Sequence, residues 1–338
     1  MAMDGDGTVK VVPVRHYSRW AGVACALIFI AMLVHTLLSR VPDTTGQMVC
    51  HVVNGARKCQ PAEHWRFYWN VVGQYFTTSE VLHGLLLTLE LTALAMIIGI
   101  VLGLVLAVMR LSHSRLLSST AWSYTWFFRG TPVLVQLTFW YFIHALYSNL
   151  TIGLPFVNVT FVTINTNSIF TNFIAAMVAL GTNEAAYFSE IARSGLIAVD
   201  EGQTEAASSL GMTRGQTLRL VVLPQAMRVI LPPTGNEVIS MLKTSSLAMT
   251  ISVVELFGAT SNISAGNYEI MPLLIVASLW YLIVTTVLSI GQYYLERHYA
   301  KGALRTPPPT PIQRIRSDVR GILSKFRTKR GVQVAVAP

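Results

Sequence analysis

Apolar residues in this chain neither alternate nor fall on one helical stripe. They run unbroken, as in 91–109 and 272–290, with no charge inside either run. Runs of about 18 or more apolar residues span a bilayer as helices, because lipid leaves every backbone N–H and C=O to be satisfied within the segment. The pattern predicts an all-α membrane protein with about six spans, near 20–38, 84–109, 128–148, 172–192, 229–250 and 271–294. The first reads as a retained anchor, since Ser39-Arg40-Val41 offers no small-x-small cleavage site. Trp65, Phe67, Tyr68, Trp69, Tyr75 and Phe76 ahead of the second span suit an interfacial helix. Gly99 and Gly103 form a GxxxG pair, a signature of close helix packing.

Composition agrees with that pattern. The 338 residues are 52% hydrophobic and 12% charged, with mean hydropathy +0.51, whereas soluble domains carry about a quarter charged residues. The formal charge of +9 sits in the tail: of 25 Lys and Arg, ten lie from Arg297 onward, and of 16 Asp and Glu only Asp318 does. Residues 1–296 therefore balance to zero. A basic tail after a last span fits retention on the inner side and attraction to anionic membrane lipid, rather than nucleic acid. Pro307, Pro308, Pro309 and Pro311 form a stiff extended spacer before it.

Loop charges give the orientation. Segment 149–171 has no charge, and 251–270 has only Glu255 and Glu269. By contrast, 110–129 holds Arg110, Arg115 and Arg129, while 193–228 holds Arg193, Arg214, Arg219 and Arg228. The positive-inside rule places the basic loops in the cytoplasm, and six spans then leave both termini there. Segment 39–83 must lie outside despite four basic residues. Within it, Asn54-Gly55 predicts a two-residue hairpin turn that sets Cys50 opposite Cys59 at a non-hydrogen-bonded position. The reading favours a disulfide there over two free thiols. Cys25 reads as packing within the first span.

The most informative stretch is 200–224. Asp200 is expected to cap a short helix with Gln203 reaching back, Gly211 to close it in the left-handed conformation, and Thr213 to open a second helix with Gln216 as capping-box partner. Pro224 marks the expected return toward the membrane. A capped helical hairpin of this kind can dock into a partner's groove or be an ordinary amphipathic loop.

Glu205-Ala206-Ala207, then Gly211, then Leu223-Pro224 closely resembles the EAA loop of permeases in bacterial ATP-binding-cassette importers. Arg129–Gln136, Tyr187–Arg193, Leu223–Ala226, Leu231–Glu237 and Leu242–Leu247 are similar to the subfamily that takes up polar amino acids such as histidine, glutamine, glutamate, arginine and opines. The resemblance covers about 65–298 and implies five core helices. Residues 1–64, with the extra anchor, and the tail 299–338 fall outside it. It implies that Glu205, Ala206, Ala207, Gly211, Leu223 and Pro224 belong to a loop that enters a cleft on a separate ATPase. It also implies a second permease chain, identical or a sister, and an extracytoplasmic amino-acid-binding protein. No GxxxxGK[ST] occurs in the chain, so ATP and Mg are expected on the partner ATPase, with no cofactor here.

A zwitterionic solute needs both charge signs, and ionisable residues within spans default to functional candidates. Asn183, Glu184, Asn236, Glu237 and Lys243 are the candidate substrate pathway. Pro232, Pro233 and Gly235 are expected to disturb the helix beside them and free carbonyls. Glu190 and Arg193, three apart, read as a structural pair, and Glu90 is expected to face the bundle. A membrane enzyme is disfavoured: HExxH and GxSxG are absent, the histidines are scattered, and no metal-ligand cluster appears. An ion-coupled secondary transporter would leave the hairpin without a role. The same fold carrying another small polar solute stays open.

Overall fold

The computed structural model describes residues 17–42, 48–53, 56–61, 63–65, 67–153, 160–300 and 317. The chain divides into two compact units, residues 1–78 with 263–276, and residues 79–262 with 277–338.

In the first unit lie α1 (Tyr17–Leu37), strands β1 (Arg40–Pro42), β2 (Met48–Val53), β3 (Ala56–Pro61) and β4 (Glu63–Trp65), and the short helix α2 (Trp69–Tyr75). β1 pairs with β4, and β2 pairs antiparallel with β3. The register runs outward from Val53 opposite Ala56 to Cys50 opposite Cys59, as the turn signal predicts. The Asn54-Gly55 turn and the side chains of both cysteines lie outside the described residues, as does most of the basic tail. Trp69 donates from its indole to the Leu37 carbonyl at 2.9 Å, tying α2 to the end of α1.

The second unit is helical. It contains α3 (Ser79–Arg110), α4 (Arg115–Gly130), α5 (Val133–Tyr141) and α6 (Ile143–Leu146). The hairpin β5 (Asn149–Gly153) and β6 (Thr160–Asn165) and the turn α7 (Thr166–Ile169) follow, then α8 (Asn172–Ile197), α9 (Glu201–Ser209) and α10 (Arg214–Gln216). A π-helical stretch, Thr217–Val222, leads into α11 (Leu223–Thr244) and a 3-10 stretch, Ser245–Ile251. The last helices are α12 (Leu256–Asn267) and α13 (Ile270–Ala300), of which residues 263–276 fall in the first unit.

α8 is the centre of this unit, packed against α3, α4, α5 and α11. Its buried face is built mostly of small residues: Ala175, Ala176, Ala179, Gly181, Ala185, Ala186, Ser189, Ala192 and Gly195. Small residues bring backbones close where no hydrophobic effect drives association in lipid. The GxxxG pair of α3 lies on this seam. A Cβ at Gly103 would sit 2.9 Å from the Ala185 carbonyl oxygen, and one at Gly99 would meet the Glu184 side chain. Leu91, Ala95, Leu137, Leu180, Met241 and Ile251 form the main core with the α8 alanines.

Among the described residues, Ser79–Arg110 and Ile270–Tyr299 are long and apolar enough to cross a membrane. Arg214–Ile251 with Leu256–Asn267, bent by 46°, makes up to a third span, and Cys25–Leu37 is a shorter apolar helix. Two of the six expected spans differ from simple rods. The one near 128–148 is broken at Thr131-Pro132 into α4 and α5. The one near 172–192 is continuous in α8 but carries Asn183, Glu184 and Glu190, so its polarity hides its length.

Candidate functional site

Residues 200–224 fold as the hairpin the capping signals describe, with two differences. Asp200 caps α9, but its carboxylate accepts from the Gly202 N–H at 2.9 Å. Gln203 does not reach back. Its side-chain oxygen accepts from the Gln225 amide at 3.3 Å, joining the two arms of the hairpin. Gly211 has φ +76°. The Met212 N–H donates to Ala207 O at 3.1 Å and the Gly211 N–H to Ser208 O at 3.0 Å, the paired bonds of a Schellman stop. The Thr213–Gln216 capping box is complete.

The second difference is at Pro224. The chain does not turn there: helix runs from Arg214 through the π stretch into α11. Proline lacks an N–H and crowds the carbonyl four residues back. The wider turn ahead of it absorbs that conflict, with the Leu223 N–H reaching back five residues to Leu218 O. The second arm of the hairpin, from Arg214, and the helix bearing Asn236 and Glu237 are thus one continuous rod.

Ala207 and Thr217 are buried between the arms, while Glu205, Ala206, Leu223 and Pro224 are exposed. Leu210 is 82% exposed at the tip. Between the arms runs a groove of about 370 Å³ lined by Thr204, Ser208, Met212, Arg214, Thr217, Leu218 and Val222. A capped hairpin with a bare leucine at its tip and a mixed polar groove between its arms is suited to docking.

The five pathway candidates fall on two neighbouring helices, α8 and α11. Asn183 is committed to the break between α4 and α5. Pro132 cannot supply the N–H that the Phe128 carbonyl would take in a helix. The Asn183 amide donates to that carbonyl at 3.0 Å, and the Gln136 amide does so at 2.9 Å. Gln136 also donates to Thr131 Oγ1 at 2.7 Å and accepts from Asn183 at 3.1 Å. Beside this break lies an apolar pocket of about 160 Å³ walled by Phe127, Val135, Phe139 and Trp140.

Glu184 is 2% exposed, and its Oε1 has no hydrogen-bond partner among the described residues. It lies within electrostatic reach of Glu237. Glu237 is in turn within reach of Arg129, whose guanidinium lies 5.3 Å above the Tyr187 ring centroid. Both charge signs therefore lie on helices packed against α8, which α4 and α11 each contact. Lys243 is exposed, two turns further along α11.

Asn236 is exposed, and its side-chain oxygen accepts from Gln292 of α13 at 3.2 Å. The prolines expected to disturb this helix do not unwind it. α11 stays helical through Pro232 and Pro233, and Thr234 Oγ1 donates to Ile230 O at 2.7 Å. Gln292 donates to Pro232 O at 3.1 Å. Glu190 pairs with Arg193 at 2.8 Å, and Arg110 at the end of α3 adds a contact at 3.6 Å. Glu90 does not face the bundle; it lies on the exposed face of α3.

Sequence reasoning missed Gln292 and Glu255. Gln292 was visible as a lone amide late in an apolar span. Glu255 looked like a loop charge, but it is fully buried at the head of α12. It accepts from the Phe257 N–H at 3.0 Å, the Gly258 N–H at 2.8 Å and the Tyr281 hydroxyl at 2.9 Å. The Thr88 hydroxyl of α3 lies 3.3 Å away. The signal was an acid at a helix start, where carboxylates satisfy free N–H groups.

Residues 99–301 match the family described as binding-protein-dependent transport system inner membrane component. The chain is 41% identical over 300 residues to an arginine transport system permease protein of Corynebacterium glutamicum, covering 88% of this chain and 85% of that one. It is 34% identical over 236 residues to a probable amino-acid ABC transporter permease protein of Bacillus subtilis, covering 70% and 96%. Among solved structures, a chain of an amino acid ABC transporter crystallised with histidines matches with TM-score 0.57 and 35% identity, over 68% of this chain and 98% of that one. The chain belongs to the binding-protein-dependent inner membrane component family: it is a multi-pass transport subunit of an ABC importer, not an enzyme, and works with a separate ATPase and a substrate-binding protein.

Proposed function

We propose that this permease imports a polar amino acid by alternating access, driven by ATP and Mg held on its ATPase partner. The observation that carries the reading is the continuity of the docking hairpin with α11, which bears Asn236 and Glu237. A push on the hairpin is then carried along one helix toward the candidate pathway. Glu205, Ala206, Ala207, Gly211, Leu223 and Pro224 form the ATPase-coupling loop. Glu184, Glu237 and Lys243 offer both signs to a zwitterion, Asn236 lines the same helix, and Asn183 braces the break beside it. The relatives named for arginine and amino-acid transport support this solute class.

In the cell membrane, the basic loops and both termini lie on the cytoplasmic side. Residues 65–298 form the permease core, 1–64 an added anchor and outer loop with a Cys50–Cys59 disulfide, and 299–338 a basic tail against anionic lipid. A second permease chain, identical or a sister, completes the pathway.

The test is reconstitution of the permease with its ATPase and binding protein in proteoliposomes, followed by uptake of labelled arginine, glutamine and cystine. ATP-dependent uptake of one or more is expected, and Glu205→Lys or Gly211→Asp should abolish it. Uptake without ATP, or uptake indifferent to both substitutions, overturns the reading.

A further inference from the structure

The Gln292 side chain of α13 lies across the one turn of α11 that contains both internal prolines. Its amide nitrogen is 3.1 Å from Pro232 O, 3.2 Å from Asn236 Oδ1 and 2.8 Å from Glu296 Oε1. An amide has two N–H donors, so three acceptors compete for two hydrogens and one always goes without. Gly235 makes the approach possible: a Cβ there would lie 2.5 Å from Gln292 Cδ. Prolines at 232 and 233 each remove a backbone donor, leaving the Arg228 and Val229 carbonyls without their helical partners and this turn easier to bend. The bendable turn lies between the coupling hairpin and Glu237, on the same rod.

We propose that Gln292 is a positioning residue of the transport cycle: it pins the proline turn of α11 to α13, and by exchanging acceptors it lets that turn take two settings while the hairpin moves. The inference rests on the coupling role given above to residues 200–224. Glu296, one turn along α13, keeps the amide oriented in either setting. Without the latch, motion of the hairpin would be spent in bending the proline turn instead of displacing Glu237.

The experiment uses the full permease with its ATPase and binding protein in proteoliposomes, measuring both ATP hydrolysis and uptake of labelled arginine, glutamine and cystine. Gln292→Leu keeps the volume and removes the donor. The expected result is about a fivefold fall in solute taken up per ATP, the factor one lost hydrogen bond is worth, with the assembled complex and its ATPase rate retained. Gly235→Ala should give the same uncoupling, and the double variant should be no worse than the worse single, because both break one contact. If Gln292→Leu does not assemble, Gly235→Ala alone is read by the same ratio. A parallel fall in ATPase and uptake, an unchanged ratio, or losses that multiply in the double variant overturns the proposal. Absence of uptake by the unaltered protein counts instead against the amino-acid reading.

Discussion

Glu255 and Gly211 show how single residues fix this molecule. The Glu255 carboxylate is wholly buried, so it is held by what it accepts: two N–H groups at the head of α12 and the Tyr281 hydroxyl of α13. Glu255→Gln would turn an NH₂ group toward one of these donors, leaving a buried clash of like partners. It is expected to cost about 2 kcal/mol, the scale of a hydrogen bond to a charged group, and to lower the thermal unfolding midpoint in detergent. Tyr281→Phe should lower it less. Gly211 answers to a different constraint. Open space surrounds its Cα, so Gly211→Ala meets no clash, only the left-handed backbone, at about 1 kcal/mol. Faster hydrogen exchange at Met212 and Gly211, with α11 unchanged, is the expected readout.

At the scale of elements, the seam between α3 and α8 decides the fold. Gly103 faces the Ala185 carbonyl and Phe188, so any larger side chain must push two helices apart. Gly103→Val is expected to cost about 2 kcal/mol or more through overpacking, seen as a lower unfolding midpoint and less complex recovered. This seam was legible in the sequence because spacing alone identifies GxxxG. The hairpin was legible for the same reason: Gly211, Thr213 and Gln216 are local signals with local causes. Pro224 was not, because a proline's effect depends on whether the preceding turn can widen, which the residue itself does not announce. Asn183 reads as a pathway residue from sequence, yet its amide answers the Phe128 carbonyl that Pro132 deprives, 55 positions earlier on α4. Gln292 and Glu255 were hidden similarly, each by partners far along the chain.

For the whole molecule, the charge asymmetry of the loops predicts an orientation that chemistry can check. Cysteines placed at Ser208, on α9, and at Thr163, in β6, should react with an impermeant maleimide from opposite sides of the membrane. The expected outcome is labelling of the Ser208→Cys permease only from the cytoplasmic face and of Thr163→Cys only from outside. The spans themselves were less evident as rods than as apolar runs. Breaking 128–148 at Thr131-Pro132 and burying Asn183 and Glu184 in α8 place polar groups where protein, not lipid, must surround them.

The wide turns at Thr217–Val222 set the azimuth of the hairpin tip. Each residue of an α-helix advances the chain by about 100° around its axis, so a stretch that spends extra residues per revolution dials everything before it to a different compass bearing. The direction in which Leu210 points relative to Glu237 is therefore set by the local winding as well as by the number of residues between them.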